Sequence, residues 1–144
     1  MNTITFSVVG EPVPKARARA FIRGGAIGHY TPDKTRAYEA AVQAAARAAM
    51  GKTPPLTGAV RLSLWFFLPI PASYSEKRKA ELLKGTAAMG SASHTKRPDL
   101  DNLIKSVSDA LNGVVFGDDC QIVQVEAIKR YGLTPSVNIE VIEL

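Results

Sequence analysis

The chain opens on an alternating pattern. In "TITFSVV" (3–9), Ile4, Phe6 and Val8 fall on one side and Thr3, Thr5 and Ser7 on the other, the period of a strand with one buried face. Pro12 and Pro14 then break the pattern, Arg17 and Arg19 alternate with small residues, and Gly24-Gly25 marks a turn. The stretch reads as a proline-punctuated basic segment followed by a short hairpin. The period changes in "TPDKTRAYEAAVQAAARAAM" (31–50). Thr31 as cap, Pro32 in the first helical position and Asp33 in the first turn predict a helix start. An alanine-rich body propagates it, and Gly51 with Pro54-Pro55 ends it.

Alternation returns in "GAVRLSLWFFLPI" (58–70), where Val60, Leu62 and Leu64 share a side and Trp65-Phe66-Phe67 make both sides apolar. That pattern predicts a central strand covered on both faces. "SEKRKAELLKG" (75–85) is a charged helix with a narrow apolar stripe, and 72–96 as a whole is poor in large apolar residues. This segment is expected to be a mobile surface excursion. A stronger helix is predicted over about 99–112, with Leu100, Leu103, Ile104, Val107, Ala110 and Leu111 as its buried stripe and Gly113 at its end. "QIVQVEAIKRYG" (121–132) and "SVNIEVIEL" (136–144) are two further strands. Strands and helices follow without a βαβ rhythm. The expectation is one α+β domain over 1–144, with a mixed or antiparallel sheet and two to three helices.

Composition narrows the class little. With 46% hydrophobic and 22% charged residues the chain reads as an ordinary globular protein. A single cysteine, Cys120, excludes an intrachain disulfide and a multi-cysteine zinc site. The start lacks a basic region followed by a long apolar run, and no stretch approaches the ~20 apolar residues of a membrane helix. A cytoplasmic location and no membrane contact are expected. Cys120 reads as a small packing residue, and His29 and His94, isolated in sequence, as surface or turn residues.

Charge changes the picture more. The net charge is +5, and residues 1–52 carry all of it: eight Lys/Arg stand against Glu11, Asp33 and Glu39, while the remainder is balanced. Against that background, five aspartates (Asp99, Asp101, Asp109, Asp118, Asp119) fall within 21 residues. A basic surface beside an acidic cluster suits a polyanion that must also meet a cation. Asp99 and Asp101 flank the helix start, where the dipole favours ionised carboxylates. Mg²⁺ takes oxygen ligands and keeps several waters, so two or three such groups suffice. Asp118 or Asp119, in the turn before the next strand, could return to the same place. Lys105, four residues after Asp101, lies on the same helix face and is a candidate to stabilise charge in a transition state. The chemistry that fits is metal-assisted phosphodiester hydrolysis. A capped helix with solubility charges remains open on spacing alone. A sugar-nucleotide transferase would need a larger nucleotide domain than 144 residues leave room for.

The joined pattern "RPDLDNLIKSVSDALNGVVFGDDCQIV" (97–123) resembles the RusA family of Holliday-junction resolvases. The match includes the basic residue before DLDN, the lysine four positions after the second aspartate, "DAL" and the closing "DD". Upstream, "GEPVPKARAR…YTP…TRAYEAAV" looks like the N-terminal half of bacteriophage-type members, and 72–96 is the least familiar part. The resemblance implies a homodimeric endonuclease of mixed α/β structure. Such an enzyme binds four-way DNA junctions and makes paired, Mg²⁺-dependent nicks during recombination and repair, with Mn²⁺ as a substitute ion. It assigns Asp99, Asp101 and Asp119 as metal ligands and Lys105 as the motif lysine. The stretch between "DAL" and "DD" is slightly shorter than in the best-known member, which leaves Asp118 as the alternative third ligand. A two-fold dimer would present two such sites to a nearly two-fold junction. Lys15, Arg17, Arg19, Arg23, Lys34 and Arg36 are candidate phosphate contacts along the arms, and Lys96 and Arg97 near the cut. A binding module without catalysis, or a nuclease for flaps, forks or duplex DNA, are the other readings.

Overall fold

The computed structural model describes residues 2–16, 19–30, 32–84 and 92–144. Its elements are β1 (Thr3–Val9), β2 (Arg19–Arg23), β3 (Ala26–Tyr30), α1 (Asp33–Met50), β4 (Val60–Pro69), α2 (Glu76–Lys84), α3 (Leu100–Leu111), a 3₁₀ turn (Asp119–Gln121), β5 (Ile122–Gly132) and β6 (Ser136–Glu143). Four strands form one sheet in the order β1-β6-β4-β5, and β2-β3 form a separate two-stranded sheet. β6 is antiparallel to both β1 and β4, whereas β5 runs parallel to β4. The expected α+β class, with a mixed or antiparallel sheet and two to three helices, is borne out: the sheet is mixed, and the described residues form three α-helices.

The parallel pair needs a long crossover, and the chain between β4 and β5 supplies it with α2 and α3. Alternation decides which side of the sheet that crossover covers. Val60, Leu62, Leu64, Phe66 and Leu68 of β4, Val137, Ile139 and Val141 of β6, and Val8 of β1 share one core with α1 and α3. From α1 come Tyr38, Val42, Ala46 and Met50, at the spacing of one helix face. From α3 come Leu103, Val107, Ala110 and Leu111. Leu100 and Ile104 pack at its margin, so the stripe read from the sequence is the stripe that is used. Phe66 and Phe116 are fully buried, each contributing about 1.5–3 kcal/mol relative to exposure.

Four expectations need correction. β4 is central in the sheet but is not fully covered on both faces: Trp65 and Phe67 alternate away from α1 and α3 and are only half-buried. Their lateral neighbours Ile128, Asn138, Arg130 and Ser136 shield them in part. Helix α1 starts at Asp33 with Pro32 in the capping position, one residue later than expected; Thr31 lies outside the described residues. In the segment 72–96, α2 has no buried residue and 85–91 lie outside the described residues, but Ala92–His94 are not an excursion. Ala92 is fully buried, and its carbonyl accepts the Tyr131 N–H at 2.8 Å. The His94 N–H donates to the Lys129 carbonyl at 3.2 Å, and the His94 ring packs on Tyr131. Finally, Cys120 is exposed rather than packed, because the 3₁₀ turn carries it on its outer side.

Candidate active site

Asp99 occupies the capping position of α3, with φ −72° and ψ 142°, yet its side chain makes no capping hydrogen bond. Capping therefore leaves this carboxylate free for other work. Asp101 lies in the first turn, exposed, and one of its oxygens accepts the Asn102 N–H at 2.9 Å. The approach to the pair is fixed by β5: the Lys129 ammonium donates to the carbonyls of Lys96 at 2.7 Å and Pro98 at 2.6 Å. From the other side, the Ser106 hydroxyl reaches the Val13 carbonyl at 2.7 Å, and the Lys15 N–H donates to the Asn102 carbonyl at 2.8 Å. The proline-rich segment after β1 is thus laid along the first two turns of α3.

The second acidic pair is positioned by a different set of contacts. Beyond α3 the chain turns at Gly113, whose φ of +76° suits glycine. It then buries Val114, Val115 and Phe116. Asp118 caps the 3₁₀ turn in a reciprocal box: its carboxylate accepts the Gln121 N–H, and its own N–H donates to the Gln121 side chain at 3.0 Å. The Gln121 amide also donates to the carbonyls of Leu56 and Gly58, both at 2.9 Å. This staples the turn to the entrance of β4. A thiol hydrogen bond from Cys120, and contact with Asp119, hold the Asp118 carboxyl below its usual pKa. Asp119 is left to face α3, where its Oδ2 lies 3.0 Å from the Lys105 ammonium.

Lys105 also meets Asp109 one turn further along, at 2.9 Å, and Asp109 meets Lys15 at 3.2 Å; Lys15 in turn meets Glu39 of α1 at 2.7 Å. The result is an unbroken chain of alternating charge, Glu39–Lys15–Asp109–Lys105–Asp119, crossing three elements. Asp109 and then Asp119 raise the pKa of Lys105. Burial alone would lower that of Lys15, but Glu39 and Asp109 carry it above its usual value. The i,i+4 partner of Lys105 is Asp109, not Asp101.

A cleft of about 370 Å³ opens beside the helix start, lined among others by Lys15, Lys34, Arg97, Asp99 and Asn102. Three cations around two carboxylates, Asp99 and Glu11, suit a phosphate brought up to a cation. Arg23 lies on β2, Arg36 is exposed and paired with Asp33, and Lys96 and Arg97 are exposed. Arg17 lies outside the described residues; of Arg19 the backbone, at the start of β2, is described. A second cleft of about 400 Å³, between α2 and the sheet, is lined by Phe67, Leu83, Tyr131 and Leu133, with no carboxylate among the described residues that line it.

Sequence reasoning missed Gln121, Ser106, Glu39 and Lys129 as supports of the site. The D-x-x-Q spacing of Asp118 and Gln121 is a readable capping box. The others depend on long-range contacts with no local signal. Among the described residues, no three Asp, Glu, His or Cys side chains gather into a ready-made metal cluster. The donor set still fits a hard cation: two exposed carboxylates stand at one helix start, with oxygen as the only donor, and the third acid is held by Lys105 one turn away.

Comparison with known proteins gives the family. The chain is 34% identical over 144 residues to the uncharacterized protein YqaN of Bacillus subtilis (strain 168), covering 100% of this chain and 99% of that one. A family profile described as Endodeoxyribonuclease RusA matches residues 9–142. The chain belongs to the RusA family of endodeoxyribonucleases, enzymes that resolve Holliday junctions.

Proposed function

We propose that this chain is a Mg²⁺-dependent endonuclease that cuts four-way DNA junctions by paired nicks, acting as a homodimer. Asp99 and Asp101 hold the cation, and Asp119 completes the ligand set. The carrying observation is the carboxylate of Asp99: it stands at the helix cap without a capping bond, beside exposed Asp101 and within a cleft lined by cations. Asp119 is preferred to Asp118 because Asp118 already caps the 3₁₀ turn, whereas Asp119 faces α3.

A bound divalent cation supplies Lewis acidity toward the phosphodiester and a water of lowered pKa. The protein's own groups do the rest. Lys15, Lys34 and Arg97 draw the backbone phosphate into the cleft. Lys105 offers an ammonium to the charge that builds on phosphate oxygens as the bond to the leaving sugar oxygen breaks. The branched substrate is supported by family membership and by the basic N-terminal third.

Asp101→Asn tests the assignment. The variant should bind a labelled four-way junction as the wild type does and lose Mg²⁺-dependent nicking. Retained nicking removes Asp101 from the site. Binding of the junction by the wild type without any nicking, with or without Mg²⁺, would instead favour a module that only binds.

A further inference from the structure

The β2–β3 hairpin exposes an apolar tip that the catalytic site does not use. Register places Ile22 opposite Ile27 next to the turn, and the two side chains are 79% and 71% exposed. On the other face Phe21 lies over Gly28, where any Cβ would collide with the ring, and contacts Tyr30 with ring centroids 6.1 Å apart. The hairpin forms its own two-stranded sheet. An isolated hairpin of this kind is marginal in water, and a projecting pair of isoleucines is a surface to be covered.

Its setting says what covers it. Residues 12–32 contain no acid and carry Lys15, Arg17, Arg19 and Arg23. Lys15, four residues before the hairpin, and Lys34, four residues after it, both line the cleft that contains Asp99. A second copy of so basic a ribbon would bring like charges together. A polyanion with apolar surface beneath its charges meets both needs, and nucleic acid offers phosphates outside and base faces within. Strands of five residues extend about 16 Å, or roughly five base steps at 3.4 Å. A ribbon of that length can span from a phosphate held in the cleft to a neighbouring part of the same DNA.

We infer that the Ile22/Ile27 tip is a wedge that inserts between bases at the branch point of the junction, while the basic flanks follow the backbone. Apolar side chains placed between base steps unstack them, and the interrupted stacking at a branch makes that step easiest there. The wedge gives the site its preference for branched over linear DNA. This rests on the function proposed above.

The test uses the full chain and a synthetic four-way junction carrying 2-aminopurine at the branch point. A linear duplex carrying the same label is the control, both in EDTA. Wild type should raise the branch-point fluorescence severalfold and leave the duplex unchanged. Ile22→Thr/Ile27→Thr keeps β-branched residues, so the ribbon still forms. It should lose the rise and narrow the junction-over-duplex binding ratio at least tenfold, and Ile22→Leu/Ile27→Leu should keep both. A threonine variant that retains the rise overturns the wedge. So does one that loses the rise while its sedimentation coefficient departs from wild type, which makes the tip a protein contact. Wild type that nicks the junction in Mg²⁺ with no fluorescence rise overturns the wedge and leaves the proposed function standing. Wild type that neither binds nor nicks overturns both.

Discussion

In the folded chain Lys105 holds the acid that the proposed cation needs. Its ammonium lies 3.0 Å from Asp119 Oδ2, so the cation and the lysine compete for one carboxylate. Lys105→Met removes the competitor and keeps the length and helix propensity of the side chain. At 3.0 Å the attraction between unit charges in a water-like dielectric is about 1.4 kcal/mol. The water-like limit is the relevant one, because the Lys105 side chain is 54% exposed and that of Asp119 29%. Screening and side-chain entropy bring exposed pairs down to about 0.2–1 kcal/mol. Metal affinity should therefore rise by between about 1.4-fold and fivefold in the variant.

Cleavage should move the other way. If Lys105 supplies charge to the transition state, kcat should fall by about 10²–10³ at saturating metal, the scale of losing one such donor. Titration calorimetry or free-Mn²⁺ electron paramagnetic resonance gives the affinity, and single-turnover nicking gives the rate. The opposite signs are the diagnostic. Weaker metal binding in Lys105→Met would refute the competition, and an unchanged rate would make Lys105 a structural partner of Asp109 alone. Asp119→Asn is the control, with weaker metal binding expected.

Two further outcomes follow from the surroundings of the site. Ser106→Ala removes a fully buried hydroxyl and strands the Val13 carbonyl, at about 1–3 kcal/mol, partly offset by about 0.5 kcal/mol of helix propensity. With an unfolding entropy near 300 cal/mol/K for 144 residues, the melting temperature should drop by roughly 2–8 °C; a calorimetric scan with no drop would show that the carbonyl finds water. His94 has its pKa lowered by burial and by the Lys129 cation, so protonation disfavours the folded form. Stability should fall as pH drops through the ordinary histidine value of 6.5 toward the lower folded value, and be flat above it. His94→Gln should show a smaller drop in denaturant midpoint between pH 7.5 and 5, and parallel curves for the two proteins would exclude the effect.

Much of this fold was legible because local periodicity and the core agree. The α3 stripe, the first face of β4 and the alternation of β1 and β6 are each written in a single window. What failed was long-range. Nothing in "LWFFLPI" says that α1 and α3 both cover the Phe66 side, since Trp65 and Phe67 carry the same hydrophobic signal as Phe66. The position of β6 between β1 and β4 is likewise invisible, because adjacency in the sheet is settled by pairing partners far apart in sequence. Asp99, Asp101 and Lys105 were legible as a motif on one helix. Their supports were not: Ser106 reads as a polar interruption of a helix until Val13 is found above it, and Lys129 as a strand charge until the Lys96 and Pro98 carbonyls are found beneath it.

The distance between the two halves of the site is set by these supports rather than by the motif. Asp119 faces α3 because Gln121 fastens its turn to the carbonyls of Leu56 and Gly58 at the start of β4, and because Leu56 donates to the Val115 carbonyl at 2.7 Å. The α3 end is fastened separately, by Lys129 of β5 and by the segment that carries Lys15. Both fastenings trace to the parallel β4–β5 pair: one acts at its beginning, where Gln121 leads into β5, and the other at Lys129, opposite Phe66. A rigid sheet edge thus carries one acid-bearing turn and one acid-bearing helix start. Among the described residues the charged link between them is Lys105, long enough to hold Asp119 or to release it while keeping Asp109.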